Sequence, residues 1–186
     1  MSDRPRNMAD IRPGAATTAR RIDEILRVDH AGELGAVRIY QGQLAVLGNS
    51  PAAEIVQAMS KQEERHKALL DDLINKRAAR PSLLDPVWSA AGFALGAASA
   101  LLGDKAAMAC TVAVEEVIGA HYGRQAAEIE AGEPALAATL HQLRAEELEH
   151  LEAGLAGGAE QAPAYPLMRS FIKAGCRLAI KIAEKL

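Results

Sequence analysis

The 186-residue chain is predicted to be an all-α domain, and three observations support that fold class. Hydrophobic residues make up 49% of the chain, enough for a buried core, yet only 3% of the residues are aromatic. Alanine supplies much of the apolar content, which favours closely packed helices over β-sandwiches built from β-branched and aromatic residues. No useful length of the chain alternates apolar and polar residues with the period of two expected of a half-buried strand.

Turn-forming residues divide the chain into six predicted helices, because glycine ends helices and proline cannot continue one. Ser50 and Pro51 supply an N-cap and a first-turn proline for the second helix. Residues 1–21 are predicted to be a flexible N-terminal tail, and residues 22–186 a single helical-bundle domain. The predicted helices span about 22–47, 51–79, 86–103, 104–131, 134–154 and 167–186, and residues 157–166 form a predicted loop.

Charge and cysteine content exclude several classes of protein. The net charge is −3 and the pI is near 6.0, which argues against a nucleic-acid partner held by bulk electrostatics. Cys110 and Cys176 lie far apart, without a CxxC pattern, so neither a disulfide scaffold nor a cysteine-based zinc site is expected. No secretory signal is evident at the N-terminus.

Glutamate and histidine recur in a duplicated pattern along the four charged helices. Residues three apart share one helical face, so a Glu-x-x-His pair can aim two side chains at one point. The chain contains two such pairs, displaced by 84 residues from His66 to His150, and each has a glutamate upstream. The two sets are Glu33 with Glu63 and His66, and Glu115 with Glu147 and His150.

This set of four carboxylates and two imidazoles is typical of two iron or manganese ions in the core of a helical bundle. Zinc prefers fewer ligands in a tetrahedron, and calcium does not choose imidazole. A single Glu-x-x-His pair is most simply a solvated helix face. Two pairs in a repeat, each with its upstream glutamate, predict a two-metal site.

Two adjacent glutamates, Glu115 and Glu116, compete for one ligand position. Tyr40 follows Glu33 by seven residues, and Tyr122 follows Glu115 by the same interval. Seven residues are nearly two turns, so each tyrosine shares a face with its glutamate, and Glu116 points about 100° away. The repeat therefore selects Glu115 as the ligand. The tyrosines are interpreted either as packing residues with satisfied hydroxyls or as hydrogen-bonding or electron-transfer groups.

Two further histidines leave alternatives open. His30, three residues before Glu33, either hydrogen-bonds near the site or begins the buried face of its helix. His121, next to Tyr122, either supports the site or simply packs.

The segments that carry these residues resemble the demethoxyubiquinone hydroxylase family. They are RVDHAGELGAVRIYQGQ at 27–43, ACTVAVEEVIGAHY at 109–122 and EELEHLEAGL at 146–155, and the C-terminal APAYPLMRSFIKAGCRLAIKIAEKL is similar as well. The resemblance covers nearly all of residues 22–186. It implies a ferritin-like four-helix bundle with two additional amphipathic or hydrophobic helices. It also implies that two iron ions per chain are bound by the six residues of the repeat, with Glu63 and Glu147 contacting both ions.

The resemblance further implies an O2-dependent di-iron monooxygenase that hydroxylates the ring of a demethoxyubiquinone or demethoxyubiquinol in ubiquinone biosynthesis. One oxygen atom of dioxygen enters the ring of the polyprenylated quinone and the other leaves as water, so two electrons must be supplied. No dinucleotide fingerprint occurs in the chain, so the donor is left open between the quinol itself, NADH and a separate protein. Other proteins of ubiquinone biosynthesis are further candidate partners.

Two alternatives to this function come from other classes of protein. A ferritin-like iron-binding or ferroxidase protein without an organic substrate explains the repeat but not the uncharged segment at residues 86–103. A non-catalytic membrane-associated scaffold would use the glutamates only as surface charge.

Two segments predict contact with a membrane lipid surface. Residues 86–103 carry no charge, but as a helix they would measure about 27 Å against a hydrocarbon core of about 30 Å. An interfacial or hairpin-lining helix is therefore expected rather than a spanning one, with a buried helix over the bundle as the alternative. The last helix sets a basic stripe beside an apolar one, which suits anionic headgroups, with a solvated surface helix as the alternative. The stripes are Arg169, Lys173, Arg177, Lys181 and Lys185 beside Leu167, Phe171, Leu178 and Ile182.

The expected location is that of a peripheral membrane protein on the cytoplasmic face of the bacterial inner membrane. The substrate is expected to reach the metals between the ligand helices, on the side covered by residues 86–103. There the small residues Gly92, Ala94, Gly96 and Ala97 are predicted to leave room for a prenyl chain.

Overall fold

A computed structural model describes residues 15–185, and six α-helices make up almost all of this range. The prediction of a helical bundle with two additional helices is confirmed, and residues 15–185 contain no strand. The helices are α1 (Ala15–Leu47), α2 (Pro51–Arg77), α3 (Asp85–Leu101), α4 (Asp104–Ile129), α5 (Pro134–Ala156) and α6 (Tyr165–Ala183), with a 3₁₀ turn at Ala159–Gln161 before α6.

The first helix begins earlier than the sequence predicted. It starts at Ala15 rather than at Ile22, so the part of the predicted tail from residue 15 onward is helical. The extension is anchored where Arg21 donates from Nε and Nη2 to the two carboxylate oxygens of Glu128 on α4, at 2.7 and 2.9 Å. The rest of the predicted tail, residues 1–14, lies outside the described residues.

Helix ends follow the predicted turn signals with one exception. Gly48 adopts φ = 60° after α1, a left-handed conformation that glycine reaches without steric cost. Pro51 lies in the first turn of α2, as predicted. Ser50 occupies the N-cap position with an extended backbone, but its side chain makes no capping hydrogen bond. The predicted side-chain cap was therefore wrong, and the proline fixes this helix start.

Two hairpins form the bundle and two helices cover it. The α1–α2 hairpin and the α4–α5 hairpin supply the four long helices, while α3 packs along α1 and α6 packs mainly on α4. A side chain at Gly96 would place its Cβ 1.9 Å from the carbonyl oxygen of Ile39, and one at Gly92 would lie 2.7 Å from that of Gly35. These glycines therefore bring α3 close to α1. Of the four small residues predicted to leave room for a prenyl chain, only Gly92 lines the apolar cavity described below.

The interior of the bundle has apolar ends and a polar middle. One apolar cluster includes Leu47, Val56 and Met108, and the other includes Ile25 and Leu140. The buried glutamates and histidines are additional to these clusters. None of the helices described in residues 15–185 is both long and apolar enough to cross a membrane.

Candidate metal centre

The structure brings all six residues of the predicted metal site together. Two overlapping groups of four buried side chains form, and within each group the candidate ligand atoms lie within 4.8 Å of one another. The groups are Glu33, Glu63, His66 and Glu147, and Glu63, Glu115, Glu147 and His150. Glu63 and Glu147 belong to both groups, which is the arrangement required of carboxylates that contact two ions.

The imidazoles interlock the two halves of the repeat. Nδ1 of His66 lies 3.1 Å from Glu147 Oε1 on α5, and Nδ1 of His150 lies 2.8 Å from Glu63 Oε1 on α2. The two rings stack with their centroids 6.0 Å apart. Because each Nδ1 faces the carboxylates, both histidines present the same ring nitrogen to the centre of the cluster.

Burial and mutual repulsion determine the protonation of the cluster. Burial, followed by repulsion from Glu147 and Glu33, raises the pKa of Glu63 well above its usual range. Burial, followed by repulsion from Glu147 and Glu63, does the same to the pKa of Glu115. Burial alone would lower the pKa of His66, but the neighbouring carboxylates of Glu147, Glu33 and Glu63 outweigh it and raise that pKa. The cluster therefore retains protons unless cations balance its charge.

The donor atoms fit a pair of divalent iron ions. Both carboxylate oxygens of Glu63 and of Glu147 are buried and make no hydrogen bond within the described residues. The same holds for Nδ1 of each histidine, although these nitrogens and oxygens lie close together. Buried polar atoms without partners are rare in proteins, and a bound ion is one explanation for them. Four carboxylates balance the charge of two divalent ions, and imidazole with carboxylate suits iron. The role of the six residues as ligands stays a prediction.

The two tyrosines of the repeat hydrogen-bond across the halves. The hydroxyl of Tyr40 donates to Glu115 Oε1 at 2.5 Å, and the hydroxyl of Tyr122 donates to Glu33 Oε1. Both tyrosines are fully buried. Both interpretations left open by the sequence fit this arrangement, because the tyrosines are packed in the core and their hydroxyls are hydrogen-bonded to residues of the cluster. A role in electron transfer stays a prediction. The sequence did not reveal that each tyrosine contacts the glutamate of the other half.

An apolar cavity lies on the other side of α1 and α4 from α2 and α5. Its volume is about 370 Å³, and its walls come from α1, α3, α4 and α6. Gly32 and Val114, which line it, directly precede Glu33 and Glu115 in the chain. Phe171 also lines it and is 78% exposed, so the cavity opens at the surface of α6. A substrate entry on the side covered by residues 86–103 was predicted, and this cavity lies on that side; the contribution of α6 was not predicted.

Comparison with known proteins identifies the family. The sequence model of the family described as Ubiquinone biosynthesis protein COQ7 matches residues 20–183. The chain belongs to this family.

Named relatives of the chain are hydroxylases. The 3-demethoxyubiquinol 3-hydroxylase of Rhodospirillum rubrum is 54% identical over 175 residues, which cover 94% of this chain and 82% of the relative. The human mitochondrial NADPH-dependent 3-demethoxyubiquinone 3-hydroxylase is 49% identical over 169 residues, which cover 89% of this chain and 78% of the relative. The mitochondrial 5-demethoxyubiquinone hydroxylase of Saccharomyces cerevisiae is 39% identical, and the match again covers 89% of this chain and 78% of the relative.

In this member of the COQ7 family, Glu115 and Glu116 have different surroundings, as predicted. Glu115 lies in the cluster, whereas Glu116 points to α6. Arg169 pairs with Glu116 at 2.5 Å, and Lys173 pairs with it as well. These two cations of the predicted basic stripe therefore hold α6 on α4, and Arg177, Lys181 and Lys185 are the exposed remainder.

The remaining histidines lie outside the cluster. His30 Nε2 lies 2.8 Å from Asp71 Oδ1 on α2, and Nδ1 lies 3.7 Å from Asp85 at the start of α3. His30 therefore joins three helices instead of supporting the cluster. His121 lies 3.8 Å from the buried Asp29, and burial lowers its pKa to about 4, with Arg124 adding to the effect.

Two polar contacts near the cluster were not predicted from the sequence. Asp29 accepts a hydrogen bond from Gln125 Nε2 at 2.8 Å, with both residues buried. Glu146 Oε2 lies 2.7 Å from Nε2 of His66. A signal for the second contact existed, because Glu146 directly precedes a Glu-x-x-His pair, where the other half of the repeat has Gln62.

Proposed function

We propose that this chain is a monooxygenase that hydroxylates the ring of a demethoxyubiquinol-type substrate in ubiquinone biosynthesis. The observation that carries the proposal is the pairing of a buried two-metal donor set with an apolar cavity on the opposite face of the same two helices. The names and coverage of the relatives support it. The ferritin-type alternative is not favoured, because an iron store requires no apolar cavity for an organic ligand.

Two iron ions per chain are the proposed cofactor, and when bound they supply the redox chemistry that activates dioxygen. Glu33 and His66 would hold one ion and Glu115 and His150 the other, with Glu63 and Glu147 shared. The chain contributes dry surroundings for this chemistry, because all six side chains are buried. Tyr40 and Tyr122 each hold a proton on the hydroxyl that faces Glu115 and Glu33, respectively.

The apolar cavity is the proposed binding site for the quinol ring and the first part of the prenyl tail. Its lining is almost entirely hydrocarbon, with contributions from Gly32, Leu95, Ile118 and Cys176. Moving a prenyl chain out of water is favourable by about 0.8 kcal/mol per CH₂. The ring would lie beside α1 and α4, and the tail would leave through the opening near Phe171.

A nicotinamide dinucleotide is the proposed electron donor, in keeping with the NADPH-dependent name of the human relative. A second cavity of about 450 Å³ lies where α1, α4 and α6 meet. Arg21, Arg124, Arg177 and Lys181 line it, against the two acids Glu128 and Glu184. An excess of guanidinium groups in a concave site suits the phosphates of a dinucleotide.

We also propose that α6 contacts a lipid surface, on the cytoplasmic face of the bacterial inner membrane. Leu167, Phe171 and Leu178 share one face of this helix and are 72%, 78% and 59% exposed. The exposed Lys181 and Lys185 can contact anionic headgroups beside them. Phe171→Glu with Leu178→Glu is expected to abolish sedimentation with anionic vesicles, whereas the exposed Ala127→Glu should not; equal binding by both would contradict this surface.

The reaction is tested with iron-loaded protein, dioxygen, NADPH and a demethoxyubiquinol of short tail. We expect a product heavier by one oxygen atom, labelled when ¹⁸O₂ replaces O₂. Iron oxidation without a hydroxylated product would favour the ferroxidase alternative. Arg124→Gln with Arg177→Gln should raise KM for NADPH about tenfold while leaving turnover with a chemical reductant unchanged. An unchanged KM would exclude the second cavity as the donor site.

A further inference from the structure

The two halves of the repeat differ at the position before each Glu-x-x-His pair. Gln62 precedes Glu63, and Glu146 precedes Glu147. The two side chains meet, with Gln62 Nε2 donating to Glu146 Oε2 at 2.8 Å. One side chain is an amide and the other a carboxylate. The two halves of the repeat therefore differ in sequence at a position where they contact each other.

Only one of the two histidines contacts this carboxylate. Nε2 of His66 lies 2.7 Å from Glu146 Oε2, on the side of the ring away from the cluster. Nε2 of His150 is buried and has no hydrogen-bond partner within the part of the chain that the structure describes. Gln142 holds the other oxygen of Glu146 at 3.0 Å, whereas the matching position of the first half is Ala58.

A carboxylate on the outer nitrogen of a metal-binding imidazole fixes the orientation and tautomer of the ring and makes it a stronger ligand. Glu146 has three hydrogen-bonding neighbours, namely Gln62, Gln142 and His66. It therefore holds Nδ1 of His66 toward the cluster before a metal ion binds. The ring of His150 has no such support and meets the edge of Tyr40 instead, with centroids 6.2 Å apart.

We propose that Glu146 is a positioning residue that makes the Glu33–His66 side of the cluster the tighter metal site. Metal ions then bind in order, first beside His66 and second beside His150. The inference rests on the proposed binding of two metal ions by this cluster. It concerns their order and affinity, which the proposed function leaves open.

The test is a titration of the full-length, metal-free chain with Co²⁺, followed by calorimetry and by the visible absorption of the bound ion. The unaltered chain is expected to bind two ions in steps that differ about 10- to 100-fold in affinity. His150→Ala removes one histidine and leaves the group with His66 complete, and His66→Ala leaves the group with His150 complete. Each variant therefore reports the affinity of one side of the cluster. Glu146→Gln should weaken binding about 10- to 100-fold in the His150→Ala background and no more than about twofold in the His66→Ala background.

Matched variants separate positioning from general charge or folding effects. Glu149→Gln makes the same charge change at an exposed position of α5 and should leave both steps unchanged. Gln142→Ala removes the hydrogen bond to the other oxygen of Glu146 without changing the charge and should weaken the His66 side. Helicity, measured by circular dichroism, is expected to be unchanged in all of these variants.

The outcomes distinguish this inference from the proposed function. Equal effects of Glu146→Gln in both backgrounds, or no effect in either, would overturn the role of Glu146. A preference for the His66 side that survives Glu146→Gln in the otherwise unaltered chain would overturn it as well. If the unaltered chain binds no Co²⁺ at all, the two-metal function itself fails.

Discussion

Helices α1 and α4 separate two unlike regions of the molecule. Toward α2 and α5 they present Glu33 and Glu115 to a buried cluster of carboxylates and imidazoles. Toward α3 and α6 they present Gly32, Val114 and other apolar residues to a cavity of about 370 Å³. Charged groups need polar partners or cations around them, whereas an apolar ligand needs hydrocarbon. Helices α1 and α4 provide both because one face of each helix is polar and the other is apolar.

This contrast explains why residues 15–185 form six helices rather than four. Four helices suffice to bury the cluster, since its members come from α1, α2, α4 and α5. In such a bundle the outer faces of α1 and α4 would lie in water. Covering them with α3 and α6 creates an apolar space whose lining includes Gly32 and Val114, the residues directly before Glu33 and Glu115.

The largest expected effect comes from breaking the cluster. Glu63→Ala removes a carboxylate shared by both groups, so we expect fewer than two bound irons and no hydroxylase turnover. The metal-free variant should remain folded, because the mutation also removes a buried carboxylate that its neighbours repel. Iron analysis and a turnover assay check this, with Glu64→Ala at the exposed neighbouring position as the control. Normal turnover with a single iron would contradict it.

Filling the cavity should have the next largest effect. A side chain at Gly32 would meet no atom within 4 Å of its Cβ, so Gly32→Leu can occupy the cavity without straining the fold. Excluding about three CH₂ groups of a tail costs roughly 2.4 kcal/mol, or about 50-fold in kcat/KM. Iron content should not change. The exposed Ala127→Leu is the control for added volume on a helix, and equal losses in both variants would exclude the cavity as the substrate site.

The cluster could be predicted from the sequence more completely than the cavity, for a physical reason. Ligands to one metal centre must recur at fixed helical spacing, so Glu33, Glu115 and the two Glu-x-x-His pairs left a countable pattern. Apolar lining has no such requirement, since small residues such as Gly96 serve close packing as readily as they leave space. Tertiary contacts such as Tyr40 with Glu115 depend on how the two hairpins face each other, which helical spacing does not specify.

The pH dependence of stability should also differ between the metal-free and metal-loaded forms. Burial and then carboxylate repulsion raise the pKa values of Glu63 and Glu115 in the folded chain. An unfolded chain releases these protons near pH 4.5, so the metal-free folded form binds more protons above that pH, and its stability falls as pH rises.

The expected slope is about 1.4 kcal/mol per pH unit for each proton retained. Thermal unfolding between about pH 5 and pH 8, with a chelator and then with metal, measures it. Bound cations replace the protons, so the metal-loaded chain should lack the decline. Glu115→Gln should reduce the slope of the metal-free form by the contribution of one proton, about 1.4 kcal/mol per pH unit. Parallel curves for the two forms would contradict the assignment of these groups to a metal-free, proton-rich cluster.

The smallest expected effect separates the adjacent residues Glu115 and Glu116 of α4. Glu115 lies in the cluster, whereas Glu116 points to α6. Glu116→Gln removes the ion pairs to Arg169 and Lys173 that hold α6 on α4. Half-exposed ion pairs contribute about 1 kcal/mol or less, so the melting temperature should fall by about 2–4 °C. Iron content should stay at that of the unaltered chain, whereas Glu115→Gln should lower it sharply. Because α6 lines the cavity and not the cluster, any loss of activity in Glu116→Gln should appear in KM for the quinol before it appears in kcat. A loss of iron from Glu116→Gln as large as that from Glu115→Gln would mean that the side chains of α4 face the reverse of the described directions.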